Sequence, residues 1–240
     1  MKNLQRVICT LFLAVSVASV HAQTADEIIS KHIEAIGGKE KLGSVTSLRL
    51  ENTMQIMGND APSQSTLLVG KGFKSESEFN GQKIVQVITD KGGWAVNPMA
   101  GSAEPKAITD EQFKSTKDQL TFEPFLNYAA EGGKVELAGK EKVGNAEAYK
   151  INLTTKDGIS TSYYIDPTSW YIVKAVKKGD MMGQQMDIAI NFSDFKKTDY
   201  GITIPYAMEM DFGGQFQLTS KLNKATFNEP VDAAIFEMGK

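Results

Sequence analysis

Hydrophobic and polar residues alternate along several segments of the chain. In residues 186–192, 206–212 and 48–56 every second position carries a large apolar side chain, with Asn52 as the exception. Because successive side chains of a β-strand point to opposite faces, this spacing predicts antiparallel strands with one apolar and one solvated face. About eleven strands are predicted, near residues 45–57, 64–79, 83–90, 92–97, 134–142, 146–154, 159–166, 170–178, 184–195, 203–212 and 215–227.

The first element after residue 22 is predicted to be a helix. Thr24 is placed to cap its N-terminus, and Glu27 three residues later completes a capping box. An apolar stripe follows at helical spacing, and Gly37-Gly38 ends the helix where the chain needs a left-handed turn. His32 lies on the apolar stripe, so we interpret it as a satisfied, partly buried imidazole.

Helical spacing returns in the middle of the chain. Thr109 and Gln112 form a second capping-box pattern, and Pro124 is expected to break or restart the helix. The helical face is expected to continue to Gly132-Gly133 and to act as a lid, with an underside formed by Phe113, Leu120, Phe125 and Leu126. The predicted fold is mainly β: an antiparallel, strongly curved sheet forming an incomplete barrel, with an N-terminal helix and a mid-chain helical lid.

Residues 1–22 have the features of a cleaved signal peptide. Lys2 and Arg6 precede a short apolar run that contains Cys9, and Val20-His21-Ala22 ends the run with small residues where a signal peptidase reads the chain. Cleavage would leave residues 23–240 as a single domain and, with Lys2 and Arg6 removed, would change the net charge from −3 to −5. We expect a periplasmic protein with no membrane-spanning segment after residue 22.

Composition argues against several kinds of chemistry. After residue 22 the chain has no cysteine and His32 is its only histidine, so we expect neither a disulfide framework nor a metal site. A Ser-His-Asp triad would have to use His32, and neither a Gly-x-Ser-x-Gly motif nor a P-loop is present. The negative net charge disfavours nucleic acid. We therefore expect no catalytic residues and no cofactor, and a protein that is not an enzyme.

The apolar strand face is the candidate binding surface. Methionine recurs on it, and this flexible side chain suits the wall of a cavity whose contents vary in shape. Acyl chains need apolar area and no hydrogen bonds, so we predict a cavity for acyl chains. The predicted lining residues are Leu48, Leu50, Met54, Ile56, Trp94, Met186, Ile188, Ile190, Phe192, Tyr206, Met208, Met210 and Phe212. A plain filled core is the alternative interpretation of the same residues.

Two short segments resemble sequences of the periplasmic lipoprotein-carrier family, the LolA/LolB-type proteins. Residues 89–98, Thr-Asp-Lys-Gly-Gly-Trp-Ala-Val-Asn-Pro, look like the family's Asp-Gly-Lys-x-x-Trp-x-Tyr-x-Pro segment. Residues 231–236, Val-Asp-Ala-Ala-Ile-Phe, are similar to its closing segment. A signal peptide, an amphipathic helix and a long first strand also follow one another in the family's order, so the likeness in architecture covers essentially all of residues 23–240.

The resemblance implies an unclosed barrel with a helical lid, whose cavity accepts the acyl chains of lipoproteins during their transfer to the outer membrane. It also implies an inner-membrane donor complex and an outer-membrane acceptor as partners of a carrier that we expect to be monomeric. The chain departs from the family pattern in the order Asp90-Lys91-Gly92 and in Val96, which replaces an aromatic residue. Lys74 lies near the position of a family arginine that ties the lid to the barrel.

Three other functions stay open on the sequence alone. The chain could be a general lipid or hydrophobic-ligand binding protein of the same fold. It could be an envelope hydrolase that acts on a lipid or glycan. It could also be a structural interaction protein of the envelope, whose sheet would be solidly packed and would leave no cavity.

Overall fold

A single antiparallel sheet of thirteen strands makes up most of the described chain, and it is not closed into a barrel. The computed structural model describes residues 23–56, 58–181 and 184–238, so the signal-peptide prediction for residues 1–22 lies outside the described residues. The strands are β1 (Ser47–Ile56), β2 (Asn59–Leu68), β3 (Gly72–Phe79), β4 (Gln82–Thr89), β5 (Gly92–Asn97), β6 (Ser102–Ala107), β7 (Lys134–Val143), β8 (Ala146–Thr154), β9 (Ser160–Ile165), β10 (Ile172–Met181), β11 (Gln184–Lys197), β12 (Thr203–Phe212) and β13 (Gln217–Phe227).

The strand order divides the sheet into two meanders. Strands β1 to β6 follow one another on one side, β7 to β13 on the other, and β1 pairs with β13 in the middle. β6 and β7 are consequently the two outer edges of the sheet. The segment between these edges, residues 108–133, contacts strands of both meanders, including β5 and β10.

The mainly β prediction is confirmed, with two differences in the strand assignment. The predicted strand 64–79 is two strands, β2 and β3, because the chain reverses at Gly70, whose φ of 72° lies in the left-handed region that glycine favours. β6 is absent from the predicted set, since its sequence, Ser-Ala-Glu-Pro-Lys-Ala, contains no alternating large apolar residues.

The N-terminal helix α1 spans Ala25–Ile36 and has the predicted capping box. The Thr24 hydroxyl accepts a hydrogen bond from the Glu27 amide at 3.2 Å, and the Glu27 carboxylate accepts one from the Thr24 amide at 3.0 Å. The short helix α2, Lys39–Gly43, follows. The apolar side of α1 is buried against the sheet through Ile28, Ile29, His32, Ile33 and Ile36.

The mid-chain helix is shorter than predicted. Helix α3 spans Asp110–Thr116 with its predicted capping box, and a 3₁₀ helix, Lys117–Leu120, follows. The predicted continuation to Gly132-Gly133 is wrong, because residues 121–133 form turns and bends. Pro124 has no amide hydrogen to donate, and the Glu123 carboxylate accepts instead from the Phe125 amide at 3.1 Å. We call residues 110–133 the covering segment.

Buried apolar side chains form three clusters. The largest lies between α1, the covering segment and the sheet, and includes the fully buried Ile28, Ile151 and Ile165. A second cluster surrounds Phe79 at the far ends of β1 and β13. In the third, Phe236 from a C-terminal 3₁₀ helix, Ala233–Phe236, packs against β4. No helix among the described residues is long and apolar enough to cross a membrane.

Candidate functional site

The strand register determines which predicted lining residues share a face of the sheet. Directly opposed residues of antiparallel strands point to the same side. Met54 opposes Ser220, Ser220 opposes Met208, and Met208 opposes Phe192. The register and the alternation within each strand place twelve predicted residues on one face: Leu48, Leu50, Met54, Ile56, Met186, Ile188, Ile190, Phe192, Tyr206, Met208, Met210 and Phe212.

This is the face that α1 covers. Ile190 opposes Ala175, Ala175 opposes Tyr163, and Tyr163 opposes Ile151, which packs in the cluster beneath α1. We call it the inner face of the sheet. The opposite, outer face carries most of the charged side chains of β1 and β3, such as Arg49 and Lys74, as expected for a solvated surface.

Two adjacent cavities lie between the inner face and the segments that cover it. The larger has a volume of about 590 Å³ and is bounded by α1, the covering segment and strands β8 to β12. The smaller has a volume of about 310 Å³ and lies mainly over β1, β2, β12 and β13. Cavities of these sizes accommodate small organic ligands or parts of larger ones. Both are lined by Thr121, Phe122, Phe192, Ile204 and Pro205.

Six of the twelve inner-face residues border these cavities. The smaller cavity is lined by Leu48, Leu50, Tyr206 and Met208, the larger by Ile190, and both by Phe192. All but Leu48 are half-buried, whereas core residues beneath α1 such as Ile151 have no exposed surface. These apolar side chains therefore face unfilled space.

The other six inner-face residues lie beyond the cavities. Met54, Ile56, Met210 and Phe212 belong to the cluster around Phe79. Ile188 packs closely over Gly179, where an added Cβ would lie 2.3 Å from its Cδ1 atom, and Met186 lies beside Gly213. In this structure they extend the apolar wall without bordering either cavity.

Trp94 lies on the outer face. It opposes Val87, and Val87 opposes Lys74, whereas the inner-face positions of the same strands are occupied by Gly93, Ile88 and Phe73. Its indole nitrogen donates a hydrogen bond to the Phe236 carbonyl at 3.0 Å. The short strand 92–97 has no clear alternation from which the sequence could assign this side chain to a face.

The four predicted lid residues have different surroundings. Leu120 is buried and lines the larger cavity. Phe125 and Leu126 pack into the cluster beneath α1, and the Phe125 ring contacts the Tyr163 ring at a centroid distance of 5.0 Å. Phe113 is half-buried. Phe122 is not among the predicted lid residues, because it does not fall on the same helical face as Phe113, yet it borders both cavities.

A buried ion pair connects α1 to the covering segment. His32 and Glu123 are 2% and 7% exposed, and the His32 Nε2 atom lies 3.5 Å from a carboxylate oxygen of Glu123. The other ring nitrogen, Nδ1, donates to the Trp170 carbonyl at 2.8 Å. Burial by itself favours the neutral imidazole, but the Glu123 carboxylate and the Trp170 carbonyl outweigh it, and the pKa of His32 is raised above its ordinary value of 6.5.

Lysines tie the covering segment to the far side of the larger cavity. The Lys177 ammonium, on the inner face of β10, lies 2.7 Å from the Asp118 carboxylate, and Lys117 lies 3.4 Å from Asp157. The sequence offered no signal for these pairs, because their partners are about 40 residues or more apart along the chain. They hold the segment across the cavity mouth by surface-type ion pairs, which are individually weak.

Several titratable side chains of the cavity wall are paired with protein groups. Among the described residues, no group of three histidine or acidic side chains is arranged to hold a metal ion. His32 lies in the wall of the larger cavity, with both ring nitrogens directed at protein groups. Tyr163, another lining residue, has a pKa raised by burial, so it stays a neutral phenol at physiological pH.

Comparison with solved structures identifies proteins of similar fold at low sequence identity. A LolA superfamily protein from Nitrosomonas europaea matches with a TM-score of 0.58 and 12% identity over 90% of this chain and 98% of that one. A domain from Vibrio parahaemolyticus, provisionally named as an outer membrane lipoprotein-sorting protein, matches with a TM-score of 0.57 and 14% identity over 88% and 94%.

A DUF1329 family protein from Desulfovibrio piger matches with a TM-score of 0.52 and 12% identity over 90% of this chain and 98% of that one. Neither a protein-family model nor a curated protein matches the sequence. At these identities the matches establish the fold alone. The chain has a LolA-like fold.

Proposed function

We propose that the protein is a periplasmic carrier that binds the acyl chains of lipoproteins and hands them on towards the outer membrane. The observation that carries the proposal is the unfilled inner face. Half-buried apolar residues such as Phe192 and Met208 border cavities of about 590 and 310 Å³ instead of being fully covered by other side chains. The LolA-like fold supports the assignment to lipoprotein and lipid carriers.

The inner face suits a ligand made of methylene groups. Burying each methylene contributes about 0.8 kcal/mol, so a part of one acyl chain is enough for useful affinity. The apolar wall continues past the smaller cavity to Met54 and Met210, whose flexible side chains can shift to admit a longer chain. Binding of this kind needs no covalent step and is reversible.

Loading and release require a way into the cavities. The covering segment is held over them by the Lys177–Asp118 and Lys117–Asp157 pairs and by the buried pair His32–Glu123. We propose that the segment moves away from the sheet when a ligand enters or leaves. An inner-membrane donor complex and an outer-membrane acceptor would then bind near the covering segment, where the ligand enters and leaves the cavities.

Native mass spectrometry of the protein purified from its own cell envelope tests the proposal. We expect a bound mass that corresponds to an acylated protein. A bound free lipid would favour the general lipid-binding alternative, and a purified protein with no bound mass that also fails to bind an added synthetic lipopeptide would contradict the proposal.

A pair of methionine variants separates binding from folding. In Met208→Asp a carboxylate replaces an apolar side chain in the wall of the smaller cavity, so we expect affinity for a synthetic acylated peptide to fall by about tenfold or more. Met99 is 51% exposed and lines neither cavity, so Met99→Asp is the matched control and should bind as the wild type does. Equal binding by both variants would contradict the proposed site.

A further inference from the structure

Uncharged polar side chains form a contiguous patch on the inner face, beside the apolar wall. Ser63 opposes both Asn52 and Ser77, while Ser75 opposes both Ser65 and Gln86. Directly opposed side chains on neighbouring strands have Cβ atoms roughly 4.5–5.5 Å apart, so these groups are in reach of one another. We call this set the polar patch: Asn52, Ser63, Ser65, Ser75, Ser77 and Gln86.

The patch differs in character from both of its surroundings. All six side chains are half-buried and none carries a charge. The alternate positions of the same strands, on the outer face, carry charged residues such as Arg49, Glu51 and Glu76. On the other side of the seam between β1 and β13, the inner face is mainly apolar, with methionine, leucine, isoleucine and aromatic side chains around Ser220 of β13.

The hydrogen-bonding capacity of the patch is unused within the described part of the chain. No side chain of the patch is hydrogen-bonded to another described residue. Asn52 and Ser65 line the smaller cavity, and Gln119 of the covering segment lines it as well. The Gln119 side-chain oxygen is buried and has no donor among the described residues. Buried polar atoms normally have partners, so the Gln119 oxygen indicates a ligand group that supplies a donor. The half-buried Asn52 and Ser65 side chains in the same cavity leave their hydrogen-bonding groups accessible to that ligand.

The donors and acceptors present define the chemistry of that group. Serine hydroxyls and the Asn52 amide can donate to a carbonyl oxygen, and the Gln119 oxygen can accept from an amide N–H or a hydroxyl. A carboxylate is disfavoured, because a buried charge needs a counter-charge and the patch contains none. Among the described lysines that line the larger cavity, Lys177 is on a strand of the inner face and is already paired with Asp118. The others, Lys114, Lys117 and Lys156, lie in the covering segment and the β8–β9 loop and do not line the smaller cavity.

We infer that the polar patch binds the ester or amide group through which an acyl chain is joined to the rest of its ligand. The chain itself then lies on the neighbouring apolar wall, across the β1–β13 seam. The ligand class is accordingly acyl esters and amides, as opposed to free fatty acids or hydrocarbons. The inference rests on the proposed function and specifies the substrate of the same site.

Three probes of one chain length test the inference: a long-chain acyl methyl ester, the alkyl methyl ether that lacks the carbonyl, and the free fatty acid at pH 7. Their affinities are measured by displacement of a fluorescent lipid. For the wild type we expect the ester to bind about three- to tenfold more tightly than the ether, as one or two hydrogen bonds to the carbonyl allow. The fatty acid should bind more weakly than the ester.

Variants of the patch assign that preference to particular side chains. Asn52→Leu combined with Ser65→Ala should bind ester and ether equally and retain the wild-type affinity for the ether. Ser65→Ala alone should lose part of the preference for the ester over the ether. Because it is the smallest change, it still tests the inference if the double variant does not fold. The matched control combines Gln64→Ala with Thr219→Ala, two exposed outer-face positions on β2 and β13, and should behave as the wild type.

The outcomes separate this inference from the proposed function. Equal binding of ester and ether by the wild type, or tightest binding of the fatty acid, would overturn the inference and leave a lipid carrier intact. An ester preference that survives in both patch variants would also overturn it. Failure of the wild type to bind all three probes and a synthetic lipopeptide would count against the proposed function itself.

Discussion

Two regions of the inner face have the same sequence pattern and opposite packing. Beneath α1, Ile151 and Ile165 are fully buried against Ile28. Beneath residues 117–122, Phe192 and Met208 are half-buried and border cavities. The alternation of apolar residues in the strands is alike in both regions, so the strands alone do not decide between a core and a cavity wall.

The difference comes from the covering elements. Helix α1 buries five side chains from twelve residues, all of them on the side that faces the sheet. The 117–122 part of the covering segment contributes Leu120 and Phe122, separated by polar Thr121 and preceded by Gln119. These two apolar side chains are too few to fill the space between the covering segment and the curved sheet. The space that remains is the candidate binding site.

Truncating one side chain in each region should give the largest contrast. Ile28→Ala removes buried methyl groups from the filled region and should lower the free energy of unfolding by about 2–5 kcal/mol. Met208→Ala, its counterpart at the cavity, removes a side chain with unfilled space beside it and should cost less than about 1 kcal/mol. Urea unfolding of both variants measures the difference, and equal losses would mean that the cavity wall is packed like the core.

The buried ion pair where the two regions meet should give a smaller, pH-dependent effect. The pKa of His32 is raised in the folded protein, so the protonated imidazole stabilises the fold. This stabilisation is fully present below the unfolded pKa of about 6.5 and is lost as the pH rises through the higher folded value. The free energy of unfolding should fall over this range with a slope no steeper than about 1.4 kcal/mol per pH unit.

Glu123→Gln tests the origin of that slope. The amide has no charge to stabilise the imidazolium, so the variant should lose most of the decline in stability above pH 6.5. Chemical unfolding at a series of pH values reports the slope for both proteins. An unchanged slope in Glu123→Gln would assign the effect to other groups and contradict the role given to this pair.

The smallest effect is expected at the mouth of the larger cavity. Asp118→Asn removes the charge opposite Lys177, and because Asp118 is over one-third exposed, the loss of stability should be below about 1 kcal/mol and smaller still in high salt. Amide hydrogen exchange within residues 110–120 should nevertheless become faster, since the covering segment loses a tether. Unchanged exchange there would show that the pair does not hold the segment closed.

Much of this architecture could be predicted from the sequence. The capping residues Thr24 and Thr109 fixed the starts of α1 and α3, and the alternation in residues 48–56, 186–192 and 206–212 assigned twelve side chains to a common face. These features are local, because a cap and a strand face depend on neighbours a few residues apart.

What the sequence left undetermined depends on contacts between distant segments. Met54 and Met208 have the same alternation, yet one packs in the cluster around Phe79 and the other lines a cavity. The sequence gives no sign that Glu123 is buried, because its partner His32 comes from a distant segment, the N-terminal helix. The polar patch could not be predicted from any one strand, because its residues come from different strands. Only the strand register brings Ser63, Ser77 and Asn52 together.

The pairing of β1 with β13 has a consequence for how the chain acquires its structure. Each meander can assemble from hairpins between sequence neighbours, but the central seam joins residues such as Thr53 and Asn223, which are 170 positions apart. Contacts of such long range form slowly, because the intervening loop must close first. A newly synthesised chain therefore cannot complete the sheet until β13 has been made, because β1 lacks its second neighbouring strand before then.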